Sequence, residues 1–256
     1  MSMEKRVYRF EANGPADTGM EKMTLDPADF QSDLPEQTVH VYFEDEELGM
    51  SAGVWTTTTM QEAYGPYPGD EFVWILEGGF SMVDGDNNAV QVVKEGESSC
   101  FRNAIPISWK QEGFLRKFYM TYLDPKAETP QIDSPEGGVM VLNEAELEAG
   151  LAKMDTTDPL VIVGEPPVQH DNVLFTNDAG NMFVGMWDST AFDSEMRPFP
   201  WHEFVQMLDG EVSITEEDGT EHVFKAGDAF FIPKGTVCHW KANGYVKKYY
   251  SILDAG

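Results

Sequence analysis

Glu203-Phe-Val-Gln-Met-Leu-Asp-Gly210, with Gly227-Asp-Ala-Phe-Phe-Ile-Pro233-Lys-Gly235-Thr-Val-Cys238 soon after it, decides the reading of this chain. Both segments pair a short apolar run with a hard stop. Asp209-Gly210 and Asp218-Gly219 are tight-turn signals, and Ala226-Gly227-Asp228 is a third turn. Pro233 and Gly235 end what precedes them. The expected strands are Glu203–Leu208, Glu211–Thr215, Thr220–Phe224, Ala229–Ile232 and Val246–Leu253. Short strands at close, regular spacing predict an all-β sandwich or barrel.

The pattern occurs twice. Residues 53–78 and 185–210 align without gaps at an offset of 132, and ten of twenty-six positions are identical. The identities include Gly53/Gly185, Trp55/Trp187, Pro66/Pro198, Glu71/Glu203 and Gly78/Gly210. After a one-residue deletion in the hairpin around Asp84–Asn88, the match resumes at offset 131. Gly96 then meets Gly227, Trp109 meets Trp240, Lys117 meets Lys248 and Tyr119 meets Tyr250. An internal repeat of this length predicts two copies of one domain.

The rest divides around the copies. Residues 1–40 form an arm with Pro15, Pro27 and Pro35. The first barrel is expected over 41–125, a linker over 126–169 and the second barrel over 170–256. The linker is predicted to carry a helix over 143–154, with Asn143 as its cap, Glu146 completing a capping box, and Leu147, Leu151 and Met154 on one face.

Composition narrows the partners. Seventeen Lys and Arg stand against forty-five Asp and Glu, a net charge of −28. Such a surface repels phosphate backbones, which argues against nucleic acid and anionic membranes. Residues 1–10 are charged and lack an apolar stretch, and no run is long enough to span a bilayer, so a cytoplasmic protein is expected. Cys100 and Cys238 fall in different copies, so no disulfide is expected.

The two quoted segments resemble the cupin signatures. The first signature has a glutamate seven residues before a turn glycine, and the second reads G-x5-P-x-G-x2-H. Trp240 and Val246-Lys247-Lys248-Tyr249-Tyr250 are similar to the cupin branch named after (S)-ureidoglycine aminohydrolase, in which a Trp is followed by V-R-K-x-Y. Residues 53–123 carry a looser version. The resemblance implies two tandem double-stranded β-helix, or jelly-roll, barrels of the RmlC-like kind. It also implies packing sheet against sheet as in cupin homodimers, a ligand in the barrel mouth, and a monomer or homodimer.

The departures from that family bear on chemistry. The cupin metal pattern is H-x-H-x3-E plus the histidine of the second motif. The second copy has Arg197, Phe199 and Cys238 at the histidine positions and keeps only Glu203. The first has Gly65, Tyr67 and Ile107, and keeps Glu71. The hydrolase's own pattern needs histidines at the places of Phe199 and Glu203. A metal site needs three or four good ligands, so no cofactor is expected. The alternative is a divalent Mn, Zn, Fe or Ni held by Glu203, His202 and His239. Strand alternation turns both histidines away from the barrel unless a bulge intervenes.

The candidate catalytic residues are Glu203, as an acid or base, and Arg197, as a fork gripping a ligand carboxylate. Each has a plainer reading: a carboxylate tied to a neighbouring side chain, and an arginine at the surface. Glu71, Tyr67, Trp187, Phe199, Cys238 and Trp240 are the candidate pocket residues, and all of them could equally be core. The favoured function is a small-molecule-binding bicupin with a degenerate metal site, its ligand a small polar carboxylate or ureide. Two alternatives stand beside it: a metal-dependent hydrolase of the ureidoglycine aminohydrolase kind, and a metal-free lyase or isomerase using Glu203 and Arg197.

Overall fold

The structure is a computed structural model that describes residues 4–255. Two compact units emerge. One is Phe10–Leu142; the other joins the described residues up to Arg9 to those from Asn143 onward. After β1 (Tyr8–Arg9), the first unit contains β2 (Glu21–Lys22), β3 (Gln37–Asp45), β4 (Met50–Thr57), β5 (Met60–Gln61) and β6 (Gly65–Pro66). It continues with β7 (Asp70–Glu77), β8 (Gly79–Val83), β9 (Ala89–Lys94), β10 (Ser98–Phe101), β11 (Pro106–Gln111), β12 (Leu115–Tyr122) and β13 (Val139–Val141). The second unit contains α1 (Glu144–Ala149), β14 (Ala152–Lys153), β15 (Gln169–Thr176), β16 (Met182–Ser189), β17 (Phe192–Asp193) and β18 (Arg197–Pro198). It ends with β19 (His202–Asp209), β20 (Glu211–Glu216), β21 (Glu221–Lys225), β22 (Ala229–Ile232), β23 (Val237–Ala242) and β24 (Val246–Leu253).

Each unit has a seven-stranded and a five-stranded antiparallel sheet. The large sheets run β13-β10-β7-β12-β4-β3-β2 and β1-β22-β19-β24-β16-β15-β14. The small sheets run β5-β11-β8-β9, with β6 also on β11, and β17-β23-β20-β21, with β18 also on β23. The core of each unit lies between its two sheets. In the second, Val205, Met207, Phe230, Ile232 and Val246 from the large sheet meet Val212, Ile214, Phe224, Cys238 and Trp240 from the small one. In the first, Val73, Ile75, Phe101 and Leu115 meet Phe80, Met82, Val93 and Trp109. Alternation along each strand supplies one such face.

The repeat is longer than the sequence match. β2 pairs β3 as β14 pairs β15, and Phe30 bridges Glu62 as Ile162 bridges Ser194. The arm and the later part of the linker are thus equivalent lead-ins to the two barrels. One edge of each large sheet is extended from outside the repeat: β13 pairs with β10, and β1 with β22. An uncovered edge of this kind would offer its unpaired backbone groups to another chain.

The linker helix is shorter than expected. α1 covers Glu144–Ala149, not 143–154. Asn143 caps the helix as expected, its Oδ1 accepting the Glu146 N–H at 3.3 Å, but the expected capping box is not completed: the Glu146 carboxylate accepts from the Asn143 side-chain Nδ2 at 3.2 Å rather than from its backbone N–H. Gly150 ends the helix, and Ala152 and Lys153 then pair with Asp171 and His170 of β15. Strand pairing satisfies backbone groups that a continued helix would have kept for itself.

Two features repeat where the barrels need them. Gly78 and Gly210 have φ of 80° and 75°, as the tight turns after β7 and β19 demand. Leu76 and Leu208 are bulged out of register against β12 and β24, beside Lys117 and Lys248. Cys100 and Cys238 are free and buried, one in each unit. No helix among the described residues is long and apolar enough to cross a membrane.

Candidate functional site

β24 carries Val246, Lys248, Tyr250 and Ile252 at alternate positions, so a lysine falls among side chains that point inward. Its ammonium lies 2.5 Å from Glu203 Oε1 on neighbouring β19. It also sits 5.0 Å from the ring centres of both Trp187 and Trp240. Glu203 Oε2 accepts a long bond from the indole N–H of Trp201, at 3.4 Å. A buried carboxylate needs a counter-charge, and two indole faces favour a desolvated cation.

This cluster floors a cavity of about 290 Å³. Trp187, Phe199, Trp201, Trp240, Phe183 and Ile252 supply its walls, and Met154, Pro159 and Leu160 come from the lead-in segment. Phe199 stacks on Trp240 at 5.5 Å and meets Trp201 edge-on at 5.9 Å. The polar lining is Glu203, Lys248, Gln169, Asp171, Tyr250, Thr157, Asp158 and Asp254. Gln169, Asp171 and Val173 share one face of β15. The Tyr250 hydroxyl donates to Asp171 Oδ1 at 2.8 Å. Burial raises the Asp171 carboxyl above its ordinary range and holds the Tyr250 phenol far above its own, the nearby Asp171 charge adding to the second effect. Gly185 makes this reach possible, because a Cβ there would stand 2.6 Å from the Tyr250 hydroxyl oxygen.

The first barrel builds the same floor. Lys117 Nζ lies 2.8 Å from Glu71 Oε1, and 4.9 and 4.6 Å from the ring centres of Trp55 and Trp109. Tyr67, at the place of Phe199, donates its hydroxyl to Glu71 Oε2. Phe30 and Ile132 pack against this core. Glu62 is a second acid here. Burial lifts it to about 7, with the Lys117 charge opposing the rise and the Glu71 charge adding to it.

The sequence candidates separate accordingly. Glu203, Trp187, Phe199 and Trp240 line the cavity; Glu71 and Tyr67 meet at the equivalent floor of the first barrel. Cys238 is buried in the core rather than in the cavity lining, and burial pushes its thiol up to about 12. Arg197 is exposed on β18 and does not line the cavity; β18 is only Arg197–Pro198, and Phe199, between Pro198 and Pro200, takes the inward place. His202 stacks on Phe231, and its Nδ1 accepts the Lys234 N–H at 3.3 Å. His239 pairs with Asp193 at 2.6 Å. Neither histidine lines the cavity. Reading the sequence missed Lys117, Lys248, Gln169, Asp171 and Tyr250. The signal for the lysines was a charged residue at an inward position of a closing strand, in both copies.

These donors do not fit a cupin metal. Among the described residues, no three His, Cys, Asp or Glu side chains converge as a metal site requires. A fixed ammonium occupies the neighbourhood of the one remaining glutamate, and it would oppose a second cation.

Residues 176–250 match the EutQ-like cupin domain. No curated protein matches the chain. Among solved structures, a DUF861-family protein of unknown function from Pseudomonas syringae pv. tomato is similar over 98% of this chain and 100% of its own, with 23% identity and a TM-score of 0.75. A putative dioxygenase from Nostoc punctiforme covers 98% and 84%, at 13% identity and a TM-score of 0.61. Protein Ylba from E. coli, also DUF861, covers 100% and 94%, at 12% identity and a TM-score of 0.53. The chain therefore has the cupin barrel fold in tandem, and its second barrel matches the EutQ-like cupin domain.

Proposed function

We propose that the second barrel binds a small molecule without a metal, a lysine ammonium standing where cupins hold their ion. One observation carries this reading: an aromatic-walled cavity of about 290 Å³ has the Glu203–Lys248 pair as its floor. Apolar walls with a few converging polar groups are the usual form of a ligand site. Hydrolysis of the ureidoglycine aminohydrolase kind finds no support in the donor set, since the histidines it would need are absent. The test is a panel of ureides, amides, amines and carboxylates, followed by tryptophan fluorescence. Each hit is repeated after dialysis against EDTA and again with Mn²⁺ or Ni²⁺ added. Equal affinity in all three conditions is expected. Binding that appears only with metal would defeat the reading.

A second reading is metal-free acid–base catalysis, of the lyase or isomerase class. Its support is a carboxylate and an ammonium side by side at the cavity floor, a base and an acid within reach of one ligand. Deuterium incorporation at a carbon of a bound ligand in D₂O would favour it; a ligand returned unlabelled would count against it.

A further inference from the structure

The cavity of the second barrel also has a sign. Four carboxylates line it, Asp158, Asp171, Glu203 and Asp254, and one ammonium, that of Lys248. The ammonium is already engaged by Glu203. The lining thus carries a formal charge of −3. A carboxylate ligand entering here meets like charge and finds no uncommitted cation.

A second feature points the same way. Gln169 is 2% exposed and lines the cavity, and its Oε1 has no hydrogen-bond partner. A buried acceptor left unpaired favours a ligand that brings a donor. Gln169 and Asp171 sit two residues apart on the same face of β15, so a planar head with two N–H groups can meet both.

We infer that this cavity selects a planar head that donates N–H bonds and is neutral or cationic, an amide, ureide or amidinium on an apolar body, with Gln169 and Asp171 reading the head and carboxylates rejected. The inference rests on the reading of the barrel as a ligand pocket.

The experiment uses three probes that share one ring: benzamidine, benzamide and benzoate, titrated calorimetrically into the full chain. Benzamidine should bind tightest, benzamide more weakly, and benzoate at least about tenfold more weakly than benzamidine. Asp171→Asn should shrink the preference for benzamidine over benzamide by about tenfold, and Gln169→Leu should weaken both by about tenfold. Circular dichroism confirms that each variant is folded; if Gln169→Leu is not, the near-isosteric Asp171→Asn carries the test. Benzoate binding as tightly as benzamidine would overturn the inference and leave the pocket standing. An unchanged preference in Asp171→Asn would also overturn it, because the general acidity of a chain of net charge −28 would then be the source. If none of the three binds, the pocket reading falls with it.

Discussion

Lys248 Nζ meets Glu203 Oε1 at 2.5 Å beneath the cavity of the second barrel, and Lys117 repeats the contact with Glu71 at 2.8 Å in the first. In each unit a pair of tryptophans flanks the ammonium. In each unit the glutamate therefore has a covalently tethered cation as its counter-charge. Such a cation needs no uptake and cannot be chelated.

Breaking the pair should expose its cost. Lys248→Met leaves Glu203, 2% exposed, without its counter-charge, and should lower stability by about 3–5 kcal/mol in urea denaturation. Adding Glu203→Gln should recover a large part of that loss. A single variant as stable as the parent would show that Glu203 has other compensation.

The glycine beside Tyr250 is a packing requirement. A Cβ at Gly185 would stand 2.4 Å from the Asn172 carbonyl oxygen as well as crowding the phenol. Gly185→Ala should therefore destabilise by about 1–3 kcal/mol. It should also weaken any ligand that contacts Asp171, since Tyr250 must move. Unchanged melting and unchanged ligand affinity together would contradict the close approach.

Cys238 should be inert in the folded protein. With its thiol pushed up to about 12 and its side chain in the core, the thiolate is scarce at neutral pH. Iodoacetamide at pH 8 should leave it unmodified until urea opens the barrel. Labelling of the native protein at the rate of a free thiol would refute this.

Glu62 gives a pH signature in the first barrel. Its folded value of about 7 lies above the ordinary 4.5, so below pH 4.5 both states hold the proton and the group is neutral to stability. Between 4.5 and 7 the unfolded chain loses its proton first, and stability falls as pH rises. Above 7 the cost is complete. Glu62→Gln should gain on the parent across this window by on the order of 3 kcal/mol. Urea midpoints at pH 4.5 and 8 measure it; a constant difference between the two proteins would place Glu62 in solvent.

Some of this is legible in the sequence alone. The strands Ala229–Ile232 and Val246–Leu253 and the Asn143 cap form where local patterning puts them. The end of α1 was not, because strand pairing at Ala152–Lys153 competes with a helical pattern that continues through Leu151 and Met154. The lead-in role of residues 21–40 was hidden as well. It depends on strand and bridge contacts such as Phe30 with Glu62, whose residues differ from Ile162 and Ser194 in the other copy.

Turn glycines and period-two alternation are short-range properties, and together with the 132-residue repeat they suffice for two β-barrels whose histidine positions hold other residues. What sits at the centre of each barrel was settled by closure. Lys248 pairs in register with Met207, four residues along the strand from Glu203, and the reach of the two long side chains along the sheet brings the charges together. Arg197, nearer to Glu203 in the chain, stays in water. Spacing along a sequence orders neighbours within a strand, but contact across a sheet depends on register, twist and reach.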